Sequence, residues 1–300
     1  MRKVLLMGLG AVGASVAAQF LDENYPISIL CDEERKKRYL EEGIIINGKN
    51  YNFDYVTADE ITYQPDLILI VVKYYNLAEA IEQLEGLVGE KTIVMSLLNG
   101  IDSEDIIAER FGFANLLYSF IYKIDANRAH NRVEHYSKGI IVFGEKNGQL
   151  TEKTALAREI FEQAKINYEL SDNILRRMWW KYLTNIGLNQ TTAILRIPYS
   201  VIQREQYAQE LAKEAMREVV QISQAININL SEADINSVLE MLQQLDPNSK
   251  TSMLQDVESK RKTEVDMLSG KLCQMGEQYQ IPTPINRVFY HLIKSIENSY

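Results

Sequence analysis

Through the first hundred residues, short apolar runs alternate with amphipathic stretches. Val4-Leu5-Leu6-Met7, Ile27-Ser28-Ile29-Leu30 and the apolar cores of residues 66–72 and 91–96 are too short for core helices. They read as strands buried on both faces, the habit of a parallel sheet. Helical stretches separate them. One opens on Ala14, Ser15, Ala17 and Ala18, a charged one covers Glu33–Glu42 and is closed by Gly43, and one covers residues 77–87. Ile44-Ile45-Ile46 and residues 51–56 flank Asn47-Gly48, a hairpin signal. Such alternation predicts an α/β fold with an N-terminal Rossmann-type, doubly wound parallel sheet, whose ligands bind at the carboxyl ends of strands. Gly8, Asp32, Lys73 and Asn99 all follow strands at that end.

From Leu116 the texture changes. Residues 117–122, 133–136 and 140–143 predict short antiparallel additions to the sheet. A helix over Glu152–Gln163 and a strand near Tyr168 close a first domain, residues 1–170. Residues 171–300 are helical in pattern, with breaks at Pro198, 227–229, Asp246-Pro247-Asn248 and Pro282-Thr283-Pro284. They predict an all-helical C-terminal domain. Three hundred residues are long for one core, which agrees with two domains.

The first strand runs into Gly8-Leu9-Gly10-Ala11-Val12-Gly13, three glycines at the spacing G-x-G-x-x-G. Gly8 permits the tight turn, Gly10 lets backbone approach a pyrophosphate, and Gly13 lets helix and strand pack closely. The helix start adds unpaired N–H groups and a positive dipole end. Met1-Arg2-Lys3 before an apolar run imitates a secretory signal, but the glycines interrupt its apolar core. Asp32 ends the second strand, where such folds carry the acid that binds the adenosine ribose. The reading is a nicotinamide or flavin dinucleotide site. Arg35, Lys36, Lys37 and Arg38 follow Asp32. They read as a solvated helix face, with Arg35 the one placed to fold back over a phosphate.

Composition narrows the setting. Net charge is −9 with scattered acids, which argues against nucleic-acid and membrane partners. No apolar segment is long enough to span a bilayer. Two cysteines, Cys31 and Cys273, far apart in sequence, point to a reducing, cytoplasmic setting. His130, His135 and His291 show no metal-ligand spacing, and no metal is expected.

Residues 178–195 hold a single charged residue, Lys181, among Trp, Tyr, Leu and Ile. Asn185 and Asn189 follow at steps of four, each step advancing about 40° past a full helical turn. The three form a slanting polar stripe on a largely buried helix. Buried polar groups need partners, and a substrate pocket supplies them. Residues 252–273 predict a later helix carrying Leu254, Val257, Arg261, Leu268 and Glu264 on one seam. There Glu264 reads equally as a site carboxylate or as the ion partner of Arg261 or Lys260. Ser252, in Ser-Met-Leu-Gln, reads as a helix capping box.

Together these residues resemble the ketopantoate reductase family over essentially the whole chain. The carrying motifs are Gly8 to Gly13, Leu98-Asn99-Gly100, Lys181-x-x-x-Asn185-x-x-x-Asn189, and Ser252-Met253-Leu254-Gln255-Asp256 with Thr263-Glu264-Val265-Asp266 beyond it. The resemblance implies reduction of ketopantoate, a 4-hydroxy-2-keto acid, to pantoate, in pantothenate and coenzyme A biosynthesis. It implies Lys181 as general acid, with Asn99 holding the lysine or the substrate beside the nicotinamide. Asn185, Asn189 and Ser252 would bind substrate, while Glu264 would accept its hydroxyl or order the cofactor. The dinucleotide would rest on residues 8–13 with Asp32, Arg35, Lys73, Asn99 and Glu264. The family implies NADPH, whereas Asp32 suits NADH.

Two positions depart from the family pattern. Asp32 stands where relatives often carry Arg, and Ile197-Pro198-Tyr199-Ser200 stands where some place a further substrate-binding Asn. A β-hydroxyacid dehydrogenase also uses Lys-x-x-x-Asn but precedes its lysine with glycines, whereas Arg176-Arg177-Met178-Trp179-Trp180 stands here. A non-catalytic dinucleotide sensor would need no such lysine. The apolar content of the helical region is compatible with a homodimer.

Overall fold

The computed structural model describes all 300 residues, which fold as two compact units, Met1–Ile174 and Leu175–Tyr300. The first is built on β1 (Val4–Met7), α1 (Ala11–Asp22), β2 (Ile27–Leu30), α2 (Glu33–Glu42), β3 (Ile44–Ile46), β4 (Lys49–Tyr51) and β5 (Asp54–Val56). Then come β6 (Leu67–Ile70), α3 (Leu77–Gln83), β7 (Ile93–Ser96), α4 (Ser103–Phe111), β8 (Leu116–Ala129), β9 (Arg132–Gly144), α5 (Glu152–Gln163) and β10 (Tyr168–Leu170). Six strands run parallel in the order β5-β2-β1-β6-β7-β8. This is the doubly wound arrangement expected, and the order reverses between β1 and β6. Ligands bind at that reversal in such sheets.

Alternation along β1 explains the two layers. Val4 and Leu6 point into one core with α1 and with Phe161 of α5, while Leu5 and Met7 point into another with Leu77, Ala80 and Ile107. Both faces of β1 are covered, so every side chain in it is apolar.

Three expectations are corrected in this unit. The three short strand pieces are two long strands: β8 and β9 pair antiparallel from Tyr118↔Gly144 to Ala129↔Arg132. Their outer half is polar and half exposed, so no apolar alternation marked it. Only the first three residues after Asn47-Gly48 form the hairpin arm, and β5 instead joins the main sheet beside β2. The first helix starts at Ala11, which places Gly13 inside it.

The second unit is helical: α6 (Ile174–Thr184), α7 (Gln190–Leu195), α8 (Tyr199–Ile202), α9 (Gln206–Ala225), α10 (Glu232–Gln244), α11 (Ser252–Glu258), α12 (Lys271–Tyr279) and α13 (Pro284–Glu297). Asn185–Asn189 forms a π-helical turn between α6 and α7, and Asp266–Gly270 a second one before α12. The single helix expected over 252–273 does not form. It breaks after α11, where Lys260 takes a left-handed conformation (φ 53°) and Arg261 folds back onto Asp256, Nε to Oδ1 2.9 Å.

Candidate functional site

Gly8 takes φ 101° at the sheet reversal, and a Cβ there would meet the Val71 carbonyl oxygen at 2.5 Å. A Cβ on Gly13 would collide with the Gly8 carbonyl, so α1 packs against this loop only with glycine at position 13. Gly10 differs, because a Cβ there would meet nothing within 4 Å. The loop is therefore tight on its protein side and open on the other. No acidic residue occupies the first turn of α1, so its dipole end and the N–H groups of Ala11, Val12 and Gly13 are uncompensated. These features fit a dinucleotide pyrophosphate.

Asp32 lies at the end of β2 as expected, but it already has a structural task. Its Oδ1 accepts the Arg35 backbone N–H at 2.6 Å, capping α2, and Oδ2 is 3.4 Å from the Arg35 guanidinium. Lys36 is bound to Glu60, and Lys37 lies 4.0 Å from Glu41. The basic run is thus largely paired locally, the solvated face that its sequence suggested. Lys73 immediately precedes a short 3₁₀ turn, Tyr74–Asn76, after β6, and Asn99 lies in the loop after β7. Beneath that loop the Ser96 and Ser103 hydroxyls are 2.8 Å apart, and Ser103 Oγ donates to Glu104 at 2.9 Å. Burial pushes the Glu104 carboxyl up to about 8, so it is protonated at neutral pH.

In the helical unit, α6 is fixed by polar anchors on one flank. Arg176 grips Asp234 of α10 with 2.8 and 2.9 Å contacts, and Trp180 Nε1 donates to Ser237 at 2.8 Å. Tyr182 and Leu183 are fully buried, whereas Lys181 keeps partial exposure. Burial pushes its ammonium down to about 8, against the pull of the Glu264 carboxylate. Lys181 and Glu264 therefore act on one another across the unit, although the helix expected to carry Glu264 is broken.

The π-turns account for the alignment. A π-turn holds more than four residues, so a four-residue step within it no longer overshoots a full turn. Asn189 Nδ2 accordingly lies 3.3 Å from Asn185 Oδ1, and also 3.3 Å from Ser252 Oγ. Side chains occupy carbonyls along this stretch: Gln190 Nε2 donates to Ile186 O at 3.1 Å, and Thr192 Oγ1 to Leu188 O at 2.8 Å. The second π-turn is tied to α6 by Tyr182, whose hydroxyl donates to Leu268 O at 2.7 Å. Ser269 Oγ donates to Gln190 Oε1 at 2.6 Å, linking the second π-turn to the start of α7 through buried groups.

Ser252 is not the cap its sequence suggested. Thr251 caps α11, its Oγ1 accepting from Leu254 N–H, and Ser252 is the first residue of the helix, exposed and turned to Asn189. Glu264 is buried between Thr263, held by Glu297 at 2.6 Å, and the second π-turn. Arg261 is paired with Asp256. Sequence reading missed Arg128, whose guanidinium donates to the Leu9 carbonyl of the glycine loop. Nothing in a basic residue 119 positions away marks that contact.

Comparison with known proteins agrees with this arrangement. A family model described as ketopantoate reductase PanE/ApbA matches residues 4–148, and its C-terminal counterpart matches 173–297. A 2-dehydropantoate 2-reductase of Streptococcus pyogenes is 24% identical over 98% of this chain and 97% of its own length. Among solved structures, D-mandelate dehydrogenase with NADH and anilino(oxo)acetate superposes with a TM-score of 0.88 at 22% identity, 99% of each chain covered. A PanE/ApbA family ketopantoate reductase from Ralstonia eutropha gives 0.85 at 22%, again with 99% of each chain.

Proposed function

We propose, from the premise that the chain belongs to the ketopantoate reductase family, that it reduces ketopantoate to pantoate with a reduced nicotinamide dinucleotide, a step of pantothenate and coenzyme A synthesis. The observation that carries this reading is Lys181 in the helical unit, its ammonium brought down to about 8 and under the influence of Glu264. Asn185 and Asn189 follow it in sequence, and Asn189 is hydrogen-bonded to Asn185 and to Ser252.

When bound, the dinucleotide supplies a hydride to the substrate's carbonyl carbon. The residues of the first unit hold that cofactor: the open face of Gly10 and the first turn of α1 take the pyrophosphate, and Asp32 with Arg35 lies toward the adenosine ribose. Lys73 and Asn99 serve the cofactor from the ends of β6 and β7. Lys181 donates its proton to the carbonyl oxygen as negative charge gathers there, stabilising an alkoxide and then quenching it. An ammonium near 8 is mostly protonated at neutral pH and still gives up its proton readily. Asn185, Asn189 and Ser252 hold the polar groups of the acid, and Glu264 accepts its 4-hydroxyl.

Oxidation of NADPH and NADH by the purified protein, with ketopantoate and with an aromatic 2-keto acid, tests the reading. Ketopantoate is the expected substrate. Turnover should fall on the order of 10²–10⁴-fold in Lys181→Ala, with cofactor binding intact. Near-normal turnover in that variant, or preference for the aromatic acid, rejects it.

A further inference from the structure

The glycine loop has a neighbour that no part of its motif foretells. Arg128 lies near the end of β8, opposite Val133 of β9. Val133 is buried in the same core as Leu9 and Tyr39, so this strand position faces the loop. The ladder slips between Asp125 and Ala126, leaving Tyr136 of β9 as an extra, exposed residue. Such a bulge re-aims the side chains that follow it.

The guanidinium is held in three ways. It donates to the Leu9 carbonyl, between the first two glycines of the motif, and its Nε donates to His130 O at 2.8 Å. Its Cζ lies 5.7 Å from the centre of the Tyr39 ring, which in turn lies 5.4 Å from that of Tyr55. An aromatic wall thus supports the flat cation.

Both hydrogen bonds go to backbone carbonyls, and Arg128 makes no ion pair. Nearby, Asp32 is paired with Arg35 and Lys36 with Glu60, while Arg38 lies over the same Tyr39 ring, its Cζ 5.4 Å from the centre. A half-buried guanidinium without a counterion, holding more donors than its two bonds use, is a site for an anion. The anion class is fixed by the loop it touches, because the fingerprint glycines carry a dinucleotide's phosphates.

We propose that Arg128 is a phosphate-binding residue of the dinucleotide site, presented by the β8–β9 hairpin rather than by the glycine motif. The proposal rests on the first unit binding a nicotinamide dinucleotide through Gly8 to Gly13. The phosphate comes from one of two places: the bridging pyrophosphate, common to both cofactors, or the 2′-phosphate, present only in NADPH.

The test is equilibrium binding of NADH and of NADPH by cofactor fluorescence, on the full chain, at low and moderate salt. Arg128→Gln, which removes the charge, should weaken binding about tenfold or more, and Arg128→Lys should recover part of it. The salt dependence of binding should become shallower in the glutamine variant. An equal loss for both cofactors assigns the pyrophosphate, and a loss confined to NADPH assigns the 2′-phosphate. Either result supports the proposal. Unchanged dissociation constants overturn it, leaving Arg128 as a tether of hairpin to loop. So does a loss that is indifferent to salt and not recovered by lysine, which would signal a distorted loop. A wild-type protein that binds neither cofactor would instead reject the dinucleotide reading itself.

Discussion

Asn189 reaches Ser252 across 63 positions of chain, its Nδ2 3.3 Å from the serine hydroxyl. The neighbouring Thr251, not Ser252, caps the helix. The two adjacent hydroxyls should therefore separate function from stability. Ser252→Ala is expected to raise KM for the keto acid by about three- to tenfold, the loss of one hydrogen bond, with the unfolding midpoint unchanged. Thr251→Ala removes the cap and a buried 2.7 Å contact to Thr192, and should cost about 1–2 kcal/mol of stability. Steady-state kinetics beside urea unfolding would reveal the contrast. Equal destabilisation by both substitutions would return Ser252 to a structural role.

Lys181 should impose a pH limit on the reaction. Its folded pKa, about 8, lies below the ordinary 10.5, so the proton is lost early as pH rises. As a required acid it predicts kcat/KM falling about tenfold per pH unit above roughly 8. Stability moves the other way. Between about 8 and 10.5 the unfolded chain binds the proton that the folded chain has shed, so this group adds stability as pH rises through that window. Wild type should gain on Lys181→Met across that interval in paired unfolding curves. A constant difference from pH 7 to pH 11 would show the lysine to be unperturbed.

Glu264→Gln preserves the size of a buried side chain and removes its charge. The variant should lose more activity on ketopantoate than on an analogue lacking the 4-hydroxyl, because a neutral amide oxygen accepts that hydroxyl's hydrogen bond more weakly than a carboxylate does. Equal losses on both substrates would assign Glu264 to ordering the lysine or the cofactor.

Asp32 combines a helix cap with a charge near the expected ribose site. Asparagine caps as well as aspartate, so Asp32→Asn removes only the charge. Relative affinity should shift toward NADPH by about tenfold, since a 2′-phosphate no longer meets a carboxylate. Asp32→Arg shifts it too but loses the cap, at about 1 kcal/mol. Cofactor titrations on both variants would distinguish these contributions, and an unmoved ratio in Asp32→Asn would free Asp32 from cofactor choice.

The parallel sheet was legible because β1, β2, β6 and β7 are largely buried on both faces, so their side chains are apolar but for one serine each in β2 and β7. Lys181, Asn185 and Asn189 were legible for the opposite reason, as polar residues where apolar ones belong. What escaped was set by contacts remote in sequence or by one residue of backbone. The apolar period of α11 continues past Lys260, but the left-handed turn there and the Arg261–Asp256 pair end the helix. Thr251 and Ser252 are both sound caps by type, and the buried contact of Thr251 with Thr192 selects between them. The outer half of the β8–β9 ladder is held by backbone pairing that its polar side chains do not advertise.

The π-turn at Asn185–Asn189 makes the length of this helix a functional quantity. A π-turn is a helix carrying one residue more than its regular ladder needs. Deleting a single residue within it would yield a better-bonded helix and would take the two asparagines out of step with Ser252. At this point in the chain, local helical order and chemistry favour different numbers of residues. Among homologous chains, insertions and deletions should therefore be excluded here even where the surrounding loops vary freely in length.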